Sequence, residues 1–296
     1  MEIKRIGFIG FGEVGRAFSK EMKTQGAEVY YYDIVNKKPE KWITFLPLNE
    51  LIQTCDIILS TVVSHVAIEV AQEAAKFLNF EKTYSDMNST SPTVKKKIAR
   101  IIEESNANFI EGAVLSAVGE TGSKASILVS GKKAEEFSRW MNRLGLINLK
   151  YFSPQIGDSS MVKMIRSIFS KGVECLLLEM LIAGRRAGIE DYLWKDIVDL
   201  MRENSFERVA ENWIKTHPLA CERRYHEVVQ AIETLEEIGI DPVMTRSTLN
   251  FFQRSMIMGL RKKFETKPEN FWSVPNFIEE KLREVRGEFP EFQKTL

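Results

Sequence analysis

A mainly parallel, doubly wound α/β domain followed by an all-helical one is what this 296-residue sequence predicts. Three observations carry the prediction. Short apolar runs alternate with helical segments through the first half of the chain. Three glycines, Gly10, Gly12 and Gly15, stand between the first apolar run and the first helix in "RIGFIGFGEVGRAF" (residues 5–18). After "LKYFSPQIGD" the alternation stops, and residues 159–188 hold apolar side chains on helical spacing for about eight turns.

Taken in order, "IKRIGFIG" reads as a strand and "EVGRAFSKEMKTQG" as a helix ended by Gly26; "AEVYYYD" is the second strand. "CDIILSTV" (55–62) holds an apolar run flanked as a buried parallel strand should be. "SHVAIEVAQEAAKFL" is helical, "KTYSDMN" a strand, and "SPTVKKKIARIIEES" a helix with Ser91 as N-cap and Pro92 as its first residue. "NANFIEGAVL" and "KASILVSG" complete the strands. The second half reads as helices only, with "FERVAENWIKTH" and "CERRYHEVVQAIETLEEIG" as separate ones on either side of Pro218. The expected domains are residues 1–157 and 158–296, with the ligand cleft between them.

Composition excludes several classes. Lys plus Arg and Asp plus Glu both number 41, so no overall charge footprint for nucleic acid exists. The first residues lack a secretion-signal pattern, and no apolar run reaches the roughly 20 residues of a membrane span; the longest, "CLLLEMLIAG", is broken by Glu179. Cys55, Cys175 and Cys221 show neither disulfide nor metal-ligand spacing. A cytoplasmic protein with reduced thiols and no metal is expected. The run 94–100, "VKKKIAR", reads as a solvated helix face.

The glycines are where a dinucleotide pyrophosphate needs them: Gly10 for the tight turn, Gly12 for close backbone approach, Gly15 for helix–strand contact. The helix that follows offers free N–H groups and a partial positive charge to the anion. Asp33 closes the second strand, at the usual interval for the acid that accepts the adenosine ribose hydroxyls. This is the pattern of a Rossmann-type domain. No Arg follows Asp33 directly, which favours NAD, although Lys37 and Lys38 keep NADP open.

Lys163, Arg166, Ser167 and Ser170 share one face of the long helix. A lysine of lowered pKa can take a hydroxyl proton as hydride leaves the same carbon, and Arg166 offers a fork to a carboxylate or phosphate. The competing reading is a solvated basic face.

With "GFIGFGEVG", "SDMNSTSP" and "GDSSMVKMIRS" in hand, the chain resembles the β-hydroxyacid dehydrogenases, the family of 3-hydroxyisobutyrate and 6-phosphogluconate dehydrogenases, over nearly its whole length. The resemblance implies that Lys163 is the general acid/base. It places Asn88, Ser89 and Thr90 near the nicotinamide ribose and the substrate, and Thr61, Val62 and Val63 of "TVVS" along the cofactor. Within the glycine motif it draws Phe11, Glu13 and Val14 into the cofactor site. Ser116 falls in the counterpart of the family's substrate loop, "EGAVLSA" (111–117), which departs from the usual Ser-Gly-Gly. The asparagines common after the lysine are replaced by Arg166 and Ser167. A small anionic 3-hydroxy acid, with or without a phosphate, is thus implied, and the apolar helices of the second half suggest a homodimer through the helical domain.

Two other functions share this plan: imine reduction, and a non-catalytic NAD(H) sensor. Arg223 and Arg224 could meet a substrate anion or pair with Glu222 and Glu227. His65 follows the third strand near the expected cofactor edge, while His217 and His226 read as structural or exposed. The aromatic segment 271–292 has no functional account beyond a possible wrap on a partner subunit.

Overall fold

The computed structural model describes residues 5–35 and 40–284. The first half alternates β1 (Arg5–Ile9), α1 (Glu13–Thr24), β2 (Glu28–Tyr32), β3 (Thr44–Phe45), α2 (Leu48–Thr54), β4 (Ile57–Ser60), α3 (Ala67–Ala75), β5 (Thr83–Asp86), α4 (Pro92–Glu103) and β6 (Asn108–Val114). It continues through α5 (Val118–Thr121), β7 (Ile127–Ser130), α6 (Ala134–Arg143) and β8 (Leu149–Ser153). The strands form one sheet in the order β3-β2-β1-β4-β5-β6-β7-β8. Every neighbouring pair is parallel except β6 with β7, so the doubly wound α/β class is observed.

The period of two along the strands sorts the core into two layers. Ile6 and Phe8 of β1 join Leu59, Ile110, Val129, Phe18 and Phe137 on one face. Ile9 joins Ile58, Leu51, Tyr84, Ile98 and Phe109 on the other. Burial on both faces is why Ile57, Ile58 and Leu59 of β4 read as an apolar run, with the buried Ser60 at its end accepting from the Asn88 amide.

The second half is α7 (Asp158–Ala187), α8 (Glu190–Glu203), α9 (Phe206–Glu237), α10 (Val243–Ile257), α11 (Leu260–Lys263) and α12 (Ser273–Glu284). Two compact units divide the chain, Met1–Phe169 and Ser170–Leu296, and the division falls inside α7. Lys163, Arg166 and Ser167 therefore belong to the first unit. In the second, Glu179 caps α10 from a distance: its carboxylate accepts from the Met244 N–H at 2.7 Å, the Thr245 N–H at 2.9 Å and the Thr245 hydroxyl at 2.6 Å. That explains a lone acid in an apolar run, because the orphan N–H groups of a helix start need acceptors.

Two sequence expectations are corrected. The helices expected on either side of Pro218 are one, α9, running through a buried proline. A proline in a helix interior costs about 3 kcal/mol, and packing against α10 outweighs that local preference. Lys95 is not part of a solvated face. It is fully buried, while its neighbours Lys96 and Lys97 are exposed. No helix among the described residues is long and apolar enough to cross a membrane.

Candidate active site

The site is built at the carboxyl ends of the central strands, where the sheet order reverses between β1 and β4. Gly10 turns the chain at φ +91°, donates its N–H to Tyr32 O at 2.8 Å, and its carbonyl accepts from Thr61 Oγ1 at 2.7 Å. A Cβ there would sit 2.7 Å from Thr61 O, and one on Gly15 would sit 2.6 Å from Gly10 O. Both glycines thus permit close packing of α1 against β1 and β4. A Cβ on Gly12, by contrast, would meet nothing within 4 Å. That bare backbone at the start of α1 is the fit expected for a dinucleotide pyrophosphate.

Asp33, just past β2, accepts from the Phe11 N–H at 2.8 Å and the Val35 N–H at 2.8 Å. The ribose-binding acid expected from the sequence therefore also clamps the glycine turn. Phe11 is fully buried and stacks on Tyr31 with ring centroids 4.3 Å apart, so it meets the turn through its backbone. Lys37 and Lys38 lie outside the described residues.

A cavity of roughly 570 Å³ opens beside the turn, lined by Glu13, Val14, Thr61–Ser64, His65, Met87–Ser89, Val114, Ser116, Val118 and Lys163. Of the residues singled out in the sequence, Glu13, Val14, Thr61, Val62, Val63, His65, Asn88, Ser89, Ser116 and Lys163 form its walls. The three glycines, Phe11, Asp33, Thr90, Arg166 and Ser167 are not among them. Ser64, Met87, Val114 and Val118 join unannounced; the first extends the "TVVS" loop and the others sit beside named positions.

Lys163 lies in the second turn of α7 and donates to Ser89 Oγ. Burial, and then the nearby charge of Lys95, lower its pKa to about 8. Arg166, one turn on and exposed, donates to Leu115 O at 2.7 Å and so ties the loop after β6 to α7. Ser167 Oγ donates back to the Lys163 carbonyl at 2.8 Å. Ser116 Oγ accepts from the Ser126 N–H at 2.7 Å, closing the base of the same loop.

Two buried carboxylates hold the frame. Glu111 of β6, fully buried, accepts from the Ser160 N–H at 2.5 Å and from the Gly157 N–H, so the strand caps the start of α7 less than one turn before Lys163. Asp86, at the end of β5, accepts from the Lys95 ammonium and from the Asn88 side-chain amide. Asn88 also donates to Ser60 Oγ at 3.0 Å, while its Oδ1 and the Thr90 hydroxyl are buried without a protein partner.

His217, Arg223 and Arg224 of the second unit have other partners. His217 bonds Ser255 Oγ at 2.9 Å, and burial followed by Arg224 lowers its pKa. Arg223 pairs with Glu227, and Arg224 donates to Thr216 Oγ1 at 2.8 Å.

Comparison with known proteins bears on the domain and the family. Residues 5–147 match the NAD binding domain of 6-phosphogluconate dehydrogenase, and residues 185–255 match a domain of unknown function, DUF1932. An uncharacterised 28.5 kDa protein of Methanothermus fervidus is 26% identical over 257 residues, 84% of this chain and 98% of that protein. The 2-(hydroxymethyl)glutarate dehydrogenase of Eubacterium barkeri is 22% identical, covering 88% of this chain and 91% of the enzyme. Among solved structures, the conserved protein MTH1747, described as structurally similar to 3-hydroxyacid dehydrogenases, is 30% identical over 87% of this chain and 98% of its own, with a TM-score of 0.56. An imine reductase from Myxococcus stipitatus in complex with NAD+ shares the fold at a TM-score of 0.76 and 16% identity, covering 94% and 100% of the two chains. With the two domain matches in chain order and a 30% identical relative matched over nearly its full length, the chain belongs to the β-hydroxyacid dehydrogenase family.

Proposed function

We propose that this chain is an NAD-dependent oxidoreductase that moves a hydride between the nicotinamide and the carbinol carbon of a small, anionic 3-hydroxy acid. Lys163 is its general acid/base. The observation that carries the reading is the half-buried Lys163 amine, with a pKa near 8, in a cavity beside the bare backbone of Gly12. A bound nicotinamide supplies or accepts the hydride. In the oxidative direction Lys163 Nζ, as the neutral amine, takes the hydroxyl proton while the C–H electron pair leaves as hydride and the carbonyl forms. In the reductive direction the ammonium returns that proton to the carbonyl oxygen.

Ser89 orients the Lys163 amine by accepting its hydrogen bond. Asn88 Oδ1 is an acceptor awaiting a ligand N–H or O–H, since a buried polar atom left unpaired costs free energy. Arg166 anchors the substrate anion and shapes the loop it already holds. Asp33 favours NAD over NADP, because a carboxylate beside a ribose 2′-phosphate is repelled. A homodimer through the helical unit completes the proposal. Its support is the apolar surface of that unit, with Leu176, Ile182, Tyr192 and Trp194 all exposed.

The test is NADH formation from NAD across short 3-hydroxy acids and phosphorylated sugar acids, for wild type and Lys163→Ala. Turnover should fall at least about 100-fold in the variant with NADH binding, read by fluorescence, retained. Oxidation should rise with pH and level off above about 8, where Lys163 is neutral, and carbonyl reduction should fall through the same range. Turnover of cyclic imines alone would replace the reading with imine reduction. NADH binding with no turnover of either class would make the protein a sensor.

A further inference from the structure

Lys95 stands at the head of the buried stripe of α4, ahead of Ile98, Ala99 and Ile102. A cation there is doubly unfavourable: it is out of water, and it lies in the first turn of a helix, whose end is already positive. The surroundings offset both costs. Its Nζ donates to Asp86 O at 2.7 Å, Asn88 O at 2.8 Å and Gly112 O at 3.0 Å, with Asp86 Oδ2 at 3.1 Å. One ammonium thus joins the end of β5, the loop beyond it and β6. Asp86 passes the connection on, since its other oxygen accepts from both the backbone N–H and the side-chain amide of Asn88. The Asn88 amide nitrogen also reaches Ser60 at the end of β4. With its NH2 group committed to Asp86 and Ser60, Asn88 keeps Oδ1 as the unpaired acceptor.

We propose that Lys95 is a positioning residue of the site: its buried ammonium holds the Asn88 carbonyl, one residue before the Ser89 that orients Lys163, so it fixes Asn88 in the cavity wall and sets a like charge near Lys163, which then serves as a base. The proposal rests on the reading of Lys163 as acid/base. A like charge in a poorly solvated setting disfavours the protonated form, and Lys95 is the charge that acts on Lys163 after burial itself. The other ionisable groups around Lys163 are Glu13 on α1, His65 after β4, Asp86 at the end of β5, Glu111 on β6, and Asp158 and Arg166 on its own helix.

The experiment reads Lys163 without needing a substrate. The full-length protein is acylated with acetic anhydride in short pulses across pH 6–11, and labelling of the Lys163 peptide is followed by mass spectrometry. Wild type should titrate at about 8. In Lys95→Met the midpoint should rise by on the order of one pH unit, with NADH affinity falling several-fold as Asn88 loses its anchor. If the single variant does not fold, Lys95→Gln, which keeps an N–H donor for the carbonyls while removing the charge, takes its place and is expected to shift Lys163 the same way. An unchanged midpoint in a folded variant overturns the proposal, as does a wild-type midpoint at the ordinary lysine value. Absence of turnover in wild type together with a shifted midpoint would sink the dehydrogenase reading and leave this role of Lys95 standing.

Discussion

The two units of the molecule bury their apolar side chains on different terms. The first holds two layers of fully buried aliphatic and aromatic residues on the faces of one sheet. In the second, the buried hydrophobics among the described residues are Val209, Cys221, Leu260 and Val274, while Tyr192 is 71% exposed, Ile182 54% and Trp194 50%. A sheet closes its core with helices from its own chain. A set of long helices presents more apolar faces than its own members cover. The difference explains why the candidate chemistry is assembled in the first unit, and why the second is the place to look for a partner copy.

The largest expected effect tests the self-sufficient core. Phe18→Ala should cost about 3–5 kcal/mol of stability, measured by denaturant unfolding, with a midpoint independent of protein concentration. A concentration-dependent midpoint would mean that the first unit, too, relies on association. Next is Gly10→Ala, expected to cost about 1–3 kcal/mol because the residue is at φ +91° and a Cβ would press on Thr61 O. Trp194→Ala follows, at about 1 kcal/mol. Here the midpoint should depend on concentration, as it must when folding is linked to association. A loss that ignores concentration would break the contrast between the units. Smallest in stability, within about 0.5 kcal/mol, is Gly12→Ala, whose Cβ has open space. Its effect should appear in NADH affinity instead, weakened about tenfold by titration.

Much of the fold and part of the site were legible in the sequence because local pattern determined them. Glycine spacing, the acid closing β2 and the lysine early in the long helix are all short-range signals. Lys95 escaped because three consecutive lysines look solvated, and what buries this one is a set of carbonyls on β5 and β6 brought in by the sheet. The available clue was its place at the head of the stripe 95, 98, 99 and 102. Glu111 was hidden in the same way: nothing near it in sequence shows that a helix 46 residues later will need its carboxylate as a cap. Pro218 misled in the opposite direction, since a strong local breaker sits inside a helix held by its neighbours.

The one antiparallel neighbour in the sheet has an evolutionary consequence. Because β7 runs back along β6, residues 115–126 form a hairpin connection at the carboxyl edge, and Ser116 and Val118 reach the cavity from it. Its base is closed by the Leu115 N–H to Ser126 O bond at 2.8 Å and by the Ser116 bond to Ser126. Chain added or removed between those anchors changes the cavity wall while leaving the sheet register alone, and a longer loop costs little entropy. A dozen residues of this wall can therefore be rewritten with the glycine turn and Lys163 carried along unchanged.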